Sequence, residues 1–166
     1  MKKQPISIPK LISFIVVVCF CIGLAVWFSP IFSGKREYYE AKAQGKTIDV
    51  VFENGKLVIK AEVATSNDDL ARGLSDRDSL SAGFGMLFDL GAPAKETTFW
   101  MNKMEFDLDM IWILNGKIVG IDRSVPFPKK NEQPALIKSP GRVTHVLEIT
   151  PGQSGFLNVG DPVLFR

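Results

Sequence analysis

A run of 18 uncharged, mostly apolar residues near the N-terminus constrains the fold more than any other feature of this sequence. It extends from Leu11 to Phe28 and reads LISFIVVVCFCIGLAVWF. As an α-helix this run would be about 27 Å long, close to the thickness of the hydrocarbon core of a bilayer. A helix buried in a globular core would keep a polar face, and this run has none. We therefore expect a transmembrane helix over residues 11–32.

The residues that flank this run favour an uncleaved anchor. Val26 to Phe28 are bulky where a signal peptide would carry small residues, and no Ala-x-Ala pattern follows. Lys2, Lys3 and Lys10 form a basic leader over residues 1–10, whereas acidic residues soon accompany the basic ones after the span. We expect a single-pass protein of the cell membrane whose C-terminal domain is extracytoplasmic.

The remainder of the chain has balanced charge and lacks cysteine. All 18 acidic residues and 17 of the 20 basic ones lie in residues 35–166, which gives this part a net charge of −1. The balance argues against a nucleic-acid partner, which would need a strongly basic face. A single histidine, His145, and no thiol argue against a Cys/His zinc module. We expect a charged linker over residues 33–46 and one domain over residues 47–166.

Short β-rich runs separated by turn residues predict that this domain is mainly β. Two Asn-Gly pairs, at residues 54–55 and 115–116, each lie between β-rich runs and predict hairpins. Ser66, followed by three polar residues, predicts the start of a helix. The four prolines between Ser124 and Pro140 predict a long irregular loop. Seven or eight short strands with one or two short helices indicate a single β-sandwich or a partly closed barrel.

The sequence carries no pattern typical of a metal site or of nucleophilic catalysis. Glu105, Asp107 and Asp109 alternate as calcium ligands can, but apolar residues interleave with them, and the glycine and closing glutamate of a calcium loop are missing. There is no Gly-x-Ser-x-Gly motif and no cysteine after the apolar run. We therefore expect no metal, no cofactor and no catalytic residue.

Five residues at structured positions form a candidate ligand-binding set: Arg72, Arg77, Trp100, Asn102 and Asp109. Arginine offers a planar fork to carboxylates and phosphates, and tryptophan offers a flat stacking face. Such a set could bind a sugar, a peptide carboxylate or an anionic polymer. We expect the two arginines, Trp100 and Asn102 to border one surface depression, with Asp109 nearby.

A structural explanation of the same residues stays open. In it, Trp100 fills the core, and the arginines pair with Asp76, Asp78 or Asp109. A buried arginine is expensive unless it is paired, so this alternative predicts that Arg72 and Asp109 are in contact and inaccessible.

Residues 48–166 carry an ordered set of motifs: ARGLSDRDSL (71–80), GMLF (85–88), TFWMNKMEFDLDMIWI (98–113), SPG (139–141), VLEI (146–149) and VGD (159–161). In this order the motifs resemble the domain of unknown function 192 family. The resemblance implies a compact, mainly β domain of bacteria and archaea, often preceded by a signal peptide or anchor, and implies no established activity. Two features depart from the family pattern. Asn102 precedes Lys103 here instead of following a basic residue, and the segment PGQSGFLN (151–158) is too short for the family's helix, so we expect a turn there.

Together these observations predict a membrane-anchored extracytoplasmic β domain that serves as a ligand-binding or accessory module of the cell envelope. Its partners would be the membrane and an envelope glycan or peptide. The sequence favours a non-enzymatic role. The alternative is a small envelope hydrolase that uses Asp107 or Asp109 together with Arg72.

Overall fold

The structure, a computed structural model, describes residues 47–52 and 55–166. The expected basic leader (1–10), transmembrane helix (11–32) and charged linker (33–46) lie outside the described residues. Within the described ranges, no helix is long and apolar enough to cross a membrane.

The described residues form nine strands and one helix. In chain order these are β1 (Thr47–Phe52), β2 (Leu57–Ala64), α1 (Asn67–Arg72), β3 (Phe84–Asp89), β4 (Thr98–Trp100), β5 (Leu108–Leu114), β6 (Lys117–Val125), β7 (Leu136–Lys138), β8 (His145–Ile149) and β9 (Val163–Phe165). Seven strands form one sheet in the order β6-β5-β8-β3-β2-β1-β9, and β4 pairs with β7 in a second, two-stranded sheet. The prediction of a mainly β domain is therefore confirmed.

Local sequence signals explain two of the connections. Asn115 and Gly116 both have positive φ, 50° and 74°, as a two-residue type I′ turn requires, and they join β5 to β6 as an antiparallel hairpin. Ser66 caps α1 because its side-chain oxygen accepts a hydrogen bond from the Asp69 N–H. Gly73, with φ of 53°, ends the helix after six residues.

The large sheet curls into a half-barrel and buries both of its faces. Alternate residues of its strands contribute to one cluster inside the curl, exemplified by Ile59, Leu87 and Ile111. The intervening residues, such as Phe88 and Trp112, contribute to a second cluster on the outer face. Because both faces are buried, the central strands are almost continuously apolar.

The two edges of the curled sheet meet at one end. Backbone hydrogen bonds run from Ile118 N to Asp161 O (3.0 Å), from Gly160 N to Ile118 O (2.8 Å) and from Val163 N to Gly116 O (2.9 Å). They join the β5–β6 hairpin to the segment that leads into β9. The arrangement is that of a partly closed barrel rather than of a sandwich.

The small β4–β7 sheet corrects one prediction from the sequence. Residues 124–140, expected to be a continuous irregular loop, contain the end of β6 and all of β7. Phe99 pairs with Ile137 across the two short strands, and both side chains pack against the outer cluster. The strand count is therefore nine rather than seven or eight. The segment after β8, residues 151–156, is a turn, as expected.

Candidate functional site

A cleft lies on the outer face of the sheet, between α1 and β4. Its walls include Arg72 and Gly73 from the end of α1 and Trp100 from β4. Its floor includes Met101 and Met104, which follow β4, and Glu148 from β8. We call it the α1–β4 cleft. Its volume is about 20 Å³, the space of about one water molecule, so it is a small depression that has one carboxyl group and one guanidinium group in its lining.

Strand β4 holds Trp100 at the mouth of the cleft with its indole exposed. Alternation along the strand turns Phe99 inward and Trp100 outward. Phe99 packs edge-to-face against Phe88, with ring centroids 4.9 Å apart, and against Trp112 at 5.7 Å. Trp100 itself is 56% exposed. Phe99, the residue before Trp100, thus anchors β4 to the core. The indole of Trp100 remains available for stacking.

Arg72 lies on the rim of the cleft, at the last position of α1. Its guanidinium group is 3.1 Å from the Asp69 carboxylate, one turn earlier, and its side chain is 67% exposed. Gly73 then leaves the helix with a positive φ, and a Cβ at this position would lie 3.1 Å from the Phe88 ring. The helix end can therefore approach the sheet closely, which brings Arg72 to the rim.

Glu148 is the polar group at the floor of the cleft. It is 6% exposed and makes no hydrogen bond or ion pair with the residues that the structure describes. Within those residues, no fully buried side-chain oxygen or nitrogen lacks a partner, so the Glu148 carboxyl must reach solvent, and it does so at the cleft. Burial raises its pKa to about 8, because a carboxylate loses its hydration there. At neutral pH this group is mostly a protonated carboxylic acid.

The neighbours of Glu148 on the sheet are apolar. Met86 on β3 and Met110 on β5 are its cross-strand partners. The same row continues to Glu62 on β2 and Asp122 on β6, each two strands away. Two strand spacings are about 10 Å, so neither carboxylate is a direct neighbour. Both are also engaged: Glu62 with Arg77, and Asp122 as acceptor from the Trp112 indole N–H at 2.6 Å.

Arg77 and Asn102 are not among the residues that line the cleft. The Arg77 guanidinium group makes two hydrogen bonds of 2.7 Å to the Glu62 carboxylate, which lower the pKa of Glu62. The backbone carbonyl of Asn102 accepts a hydrogen bond from the Ser75 hydroxyl. These two predicted site residues contribute contacts near the cleft that hold loops in place.

Asp109 lies on the opposite face of the sheet from the cleft. Alternation along β5 places it on the side of Ile111 and Ile113, and it is fully buried. Oδ1 accepts a hydrogen bond from the Ser124 N–H at 2.8 Å, and Oδ2 accepts from the Gly152 N–H at 3.0 Å and the Ser154 hydroxyl at 2.7 Å. Asp109 thereby joins β5 to β6 and to the turn after β8.

Neither part of the structural alternative for the arginines and Trp100 is observed. Arg72 pairs with Asp69 and Arg77 with Glu62, so neither contacts Asp109. Trp100 lies at the surface rather than in the core. Of the five predicted binding residues, the structure brings Arg72 and Trp100 together at one cleft.

The acidic residues considered for calcium binding or hydrolysis do not converge. Glu105 is exposed, Asp107 accepts a hydrogen bond from the Phe127 N–H at 3.0 Å, and Asp109 points into the interior. Among the described residues, no group of three or more His, Cys, Asp or Glu side chains could hold a metal ion. The ring of His145 packs on Phe165, with centroids 4.8 Å apart, and its Nδ1 lies 3.0 Å from the Thr144 hydroxyl.

Glu148 is a site residue that the sequence patterns did not single out. Its signal is a single carboxylate in the strand HVLEI, whose other residues at 146, 147 and 149 are apolar and fill both faces of the sheet. An acid in a strand buried on both faces has no solvated side to occupy. A lone acid within such an apolar run therefore indicates a buried carboxyl group with an unusual environment.

Two solved structures resemble this chain. One is a protein of unknown function from Novosphingobium aromaticivorans, 26% identical, with a TM-score of 0.59; the match covers 70% of this chain and 82% of that one. The other, from Sinorhizobium meliloti, is described as a "putative transcription regulator"; it is 26% identical with a TM-score of 0.60, and the match covers 71% of this chain and 91% of that one. A search among curated proteins finds no match.

The family model for DUF192, described as an uncharacterised ACR, matches residues 50–165. This range contains the curled sheet from β2 to β8, together with α1 and both walls of the cleft. It also contains every motif on which the resemblance rests. The chain belongs to the DUF192 family.

Proposed function

We propose that this protein is a ligand-binding module of the cell envelope, held at the membrane by residues 11–32. We propose further that an envelope glycan binds in the groove along β4, which adjoins the α1–β4 cleft at Trp100 and has a volume of about 440 Å³. The observation that carries the proposal is the exposed indole of Trp100 in the lining of this groove. A pyranose ring presents a face of C–H groups that stacks on a flat aromatic surface, and its hydroxyls need polar partners at the edges.

The surroundings of Trp100 supply such partners. Besides Trp100, the groove along β4 is lined by Lys95, Thr97 and Thr98 and by Leu136 of β7. Threonine hydroxyls can donate to and accept from sugar hydroxyls, and the ammonium group of lysine donates to them. The groove thus alternates an apolar stacking surface with hydrogen-bonding groups.

The apolar N-terminal run supports the proposed location. A span of this length with a basic leader would leave residues 35–166 on the outer side of the membrane, where envelope glycans occur. The charge of the domain does not favour DNA binding of the kind that the description of the Sinorhizobium protein suggests, because residues 35–166 have a net charge of −1 and DNA binding is driven largely by positive charge.

No observation favours the hydrolase alternative. Asp109 is buried on the other face of the sheet with both carboxylate oxygens engaged, and Asp107 does not line the cleft that holds Arg72. A hydrolytic carboxylate needs access to the substrate and a position opposite a second catalytic group.

The test is a binding screen of the full-length chain, in mild detergent, against neutral oligosaccharides and peptidoglycan fragments. We expect a glycan to bind and Trp100→Ala to weaken that binding about tenfold, near the upper end of the contribution of one aromatic contact. Phe156→Ala is the matched control, because Phe156 is also an exposed aromatic residue, 45% exposed, but lines neither the groove nor the cleft. If no glycan binds, or if both variants bind like the parent, the proposed function is wrong.

A further inference from the structure

We propose that Lys95 and Arg142 bind the carboxylate of an acidic sugar in a second groove, which continues the groove along β4. The inference rests on the proposed function and names the class of glycan. The second groove has a volume of about 590 Å³ and is lined by Leu90, residues 92–96 and Arg142. We call it the 92–96 groove. Leu90 and Lys95 line both grooves, so a single ligand can occupy the two together.

The size of the two grooves suits an oligosaccharide rather than one sugar. Their volumes, about 440 and about 590 Å³, both lie within the range of about 300–1,000 Å³ that small-molecule sites occupy. Lys95 and Trp100 are five residues apart in the sequence, which is at most about 17 Å along an extended chain. A chain of several sugar units, one of them stacked on the indole, would therefore reach the 92–96 groove.

Backbone pairing brings the two cationic residues to one groove. Lys95 and Val143 exchange two hydrogen bonds, from Lys95 N to Val143 O at 3.1 Å and from Val143 N to Lys95 O at 2.9 Å. Arg142, the residue before Val143, donates a hydrogen bond from Nε to the carbonyl of Ala94 at 2.8 Å. This bond holds the guanidinium group in place, and its two terminal nitrogens make no hydrogen bond with the described residues. They are therefore available to a ligand as donors.

The charge of the groove lining favours a carboxylate. Lys95 and Arg142 are exposed, and neither forms an ion pair with the residues that the structure describes. Glu96 is the third charged residue of the lining, so two cations and one carboxylate leave a net charge of +1. A sugar carboxylate carries a single negative charge, and its two oxygens match the planar fork of arginine. A phosphate monoester would carry about −1.5 to −2 and exceed the charge of the lining.

The experiment measures binding to the full-length chain, in mild detergent, of two acidic tetrasaccharides and of their methyl esters, which lack the charge. One is tetragalacturonate, with its carboxylates on the sugar ring, and the other is a peptide-free peptidoglycan tetrasaccharide, with its carboxylates on lactyl ethers. At low salt we expect the acid of at least one pair to bind about tenfold more tightly than its ester, as two exposed charge pairs would allow. At about 0.5 M salt this preference should fall to about threefold or less, because exposed charges are screened. The pair that shows the preference identifies the source of the carboxylate.

Four variants assign the preference for the acid to this groove. Lys95→Gln and Arg142→Gln should each lower the preference about threefold, and Glu96→Gln should raise it about threefold because a repulsive charge is removed. Lys117→Gln is the matched control for the loss of one positive charge, since Lys117 is exposed and lines neither groove. Circular dichroism checks that each variant folds. If the loss of the bond to Ala94 unfolds Arg142→Gln, then Lys95→Gln and Glu96→Gln decide the question.

Each other result has a defined meaning. If acid and ester bind alike in both pairs, the inference is overturned, while glycan binding at Trp100 stands. If Lys95→Gln keeps the full preference, or if Lys117→Gln loses as much of it, the carboxylate is bound elsewhere, and the inference is again wrong. If none of these tetrasaccharides and no other glycan binds, the proposed function itself fails.

Discussion

Two buried carboxyl groups on adjacent strands have opposite environments. Asp109 on β5 accepts hydrogen bonds from two backbone N–H groups of the turn after β8, from the Ser154 hydroxyl and from the Ser124 N–H. Glu148 on β8 has no such donors among the described residues and is surrounded by methionine side chains. A carboxylate with several donors is a structural element, whereas one without them is destabilising unless it is neutral or bound to something. This contrast, rather than burial alone, separates the two residues.

The environment of Glu148 predicts a pH dependence of stability. Its pKa is about 8 in the folded chain, above the ordinary value of 4.5 that applies when the chain unfolds. Between these values the folded state keeps a proton that the unfolded state releases. Stability therefore falls as pH rises through this window, by up to about 1.4 kcal/mol per pH unit, and the penalty is complete above the folded-state pKa.

The measurement is the free energy of unfolding in urea at about pH 5 and about pH 7.5 for the full-length chain and for Glu148→Gln. We expect the parent to lose about 3 kcal/mol more than the variant between the two pH values, because glutamine does not titrate. Glu105→Gln is the control for removal of an exposed carboxylate and should follow the parent. Parallel pH profiles for the parent and Glu148→Gln would show that Glu148 is not protonated in the folded chain.

At the scale of elements, the sequence predicts the caps and turns that depend on neighbouring residues. It does not predict strands that form only by pairing with a distant part of the chain. The cap at Ser66 and the Asn115-Gly116 turn depend on neighbouring residues, and both are where they were expected. Strand β7 has three residues between prolines and no apolar period. It exists because Leu136 and Ile137 pair with β4, which lies far earlier in the chain.

The residues of the cleft likewise divide into those that local sequence indicates and one that only the strand order brings there. Arg72 and Trp100 could be proposed from the sequence, because an arginine at a helix end and a tryptophan at a strand end are visible there. Their meeting with Glu148 depends on the position of β8 beside β3 in the centre of the sheet. No local pattern contains that strand order, and an acid in a short strand is ordinarily taken as solvent-exposed.

Gly85 determines how closely β3 and β8 approach beneath the cleft. A Cβ at this position would lie 2.7 Å from the Glu148 backbone oxygen and 2.9 Å from a methyl group of Ile59. We expect Gly85→Ala to lower the free energy of unfolding by about 1–3 kcal/mol, because the obstructing atoms include backbone that cannot move aside. The control is Gly141→Ala, whose Cβ would meet nothing within 4 Å. Thermal unfolding of both variants measures the difference; equal melting temperatures would contradict the close approach.

On the scale of the whole molecule, closure of the sheet fixes the position of the cleft. The hydrogen bonds between the β5–β6 hairpin and the segment before β9 close the curl on one side. The inner cluster is thereby enclosed by the sheet itself, and α1 and the β4–β7 sheet are left to cover the outer face. The cleft lies in the gap between α1 and the β4–β7 sheet, over β8.

Hydrogen bonds, not metal ligands, hold the turn after β8 against the sheet. The described residues hold no group of three or more His, Cys, Asp or Glu side chains that could hold a metal, and the contacts that join the turn after β8 to the sheet are hydrogen bonds. Arg123 adds two further bonds, to the carbonyls of Ser154 and Leu157. Direct hydrogen bonds of this kind need no ion to hold a loop in place.

We expect residues 11–32 to attach this domain to the membrane. The uncharged run from Leu11 to Phe28 is long enough to span the hydrocarbon core, and Val26 to Phe28 disfavour cleavage by signal peptidase. We expect the mature protein to keep residues 1–33, to remain in the membrane fraction after washing at high salt and high pH, and to be released by detergent. The matched control is the chain that begins at residue 47, which should appear in the wash.

Orientation is tested on the same material. Three lysines precede the span, so residues 35–166 should lie outside the cytoplasm and be digested by protease added to spheroplasts, with a cytoplasmic marker protein left intact. An N-terminal sequence that starts after Phe28 would show that the run is a cleaved signal instead. Protection of the domain in intact spheroplasts, with digestion only after lysis, would place it in the cytoplasm, away from the envelope glycans that the groove along β4 is proposed to bind.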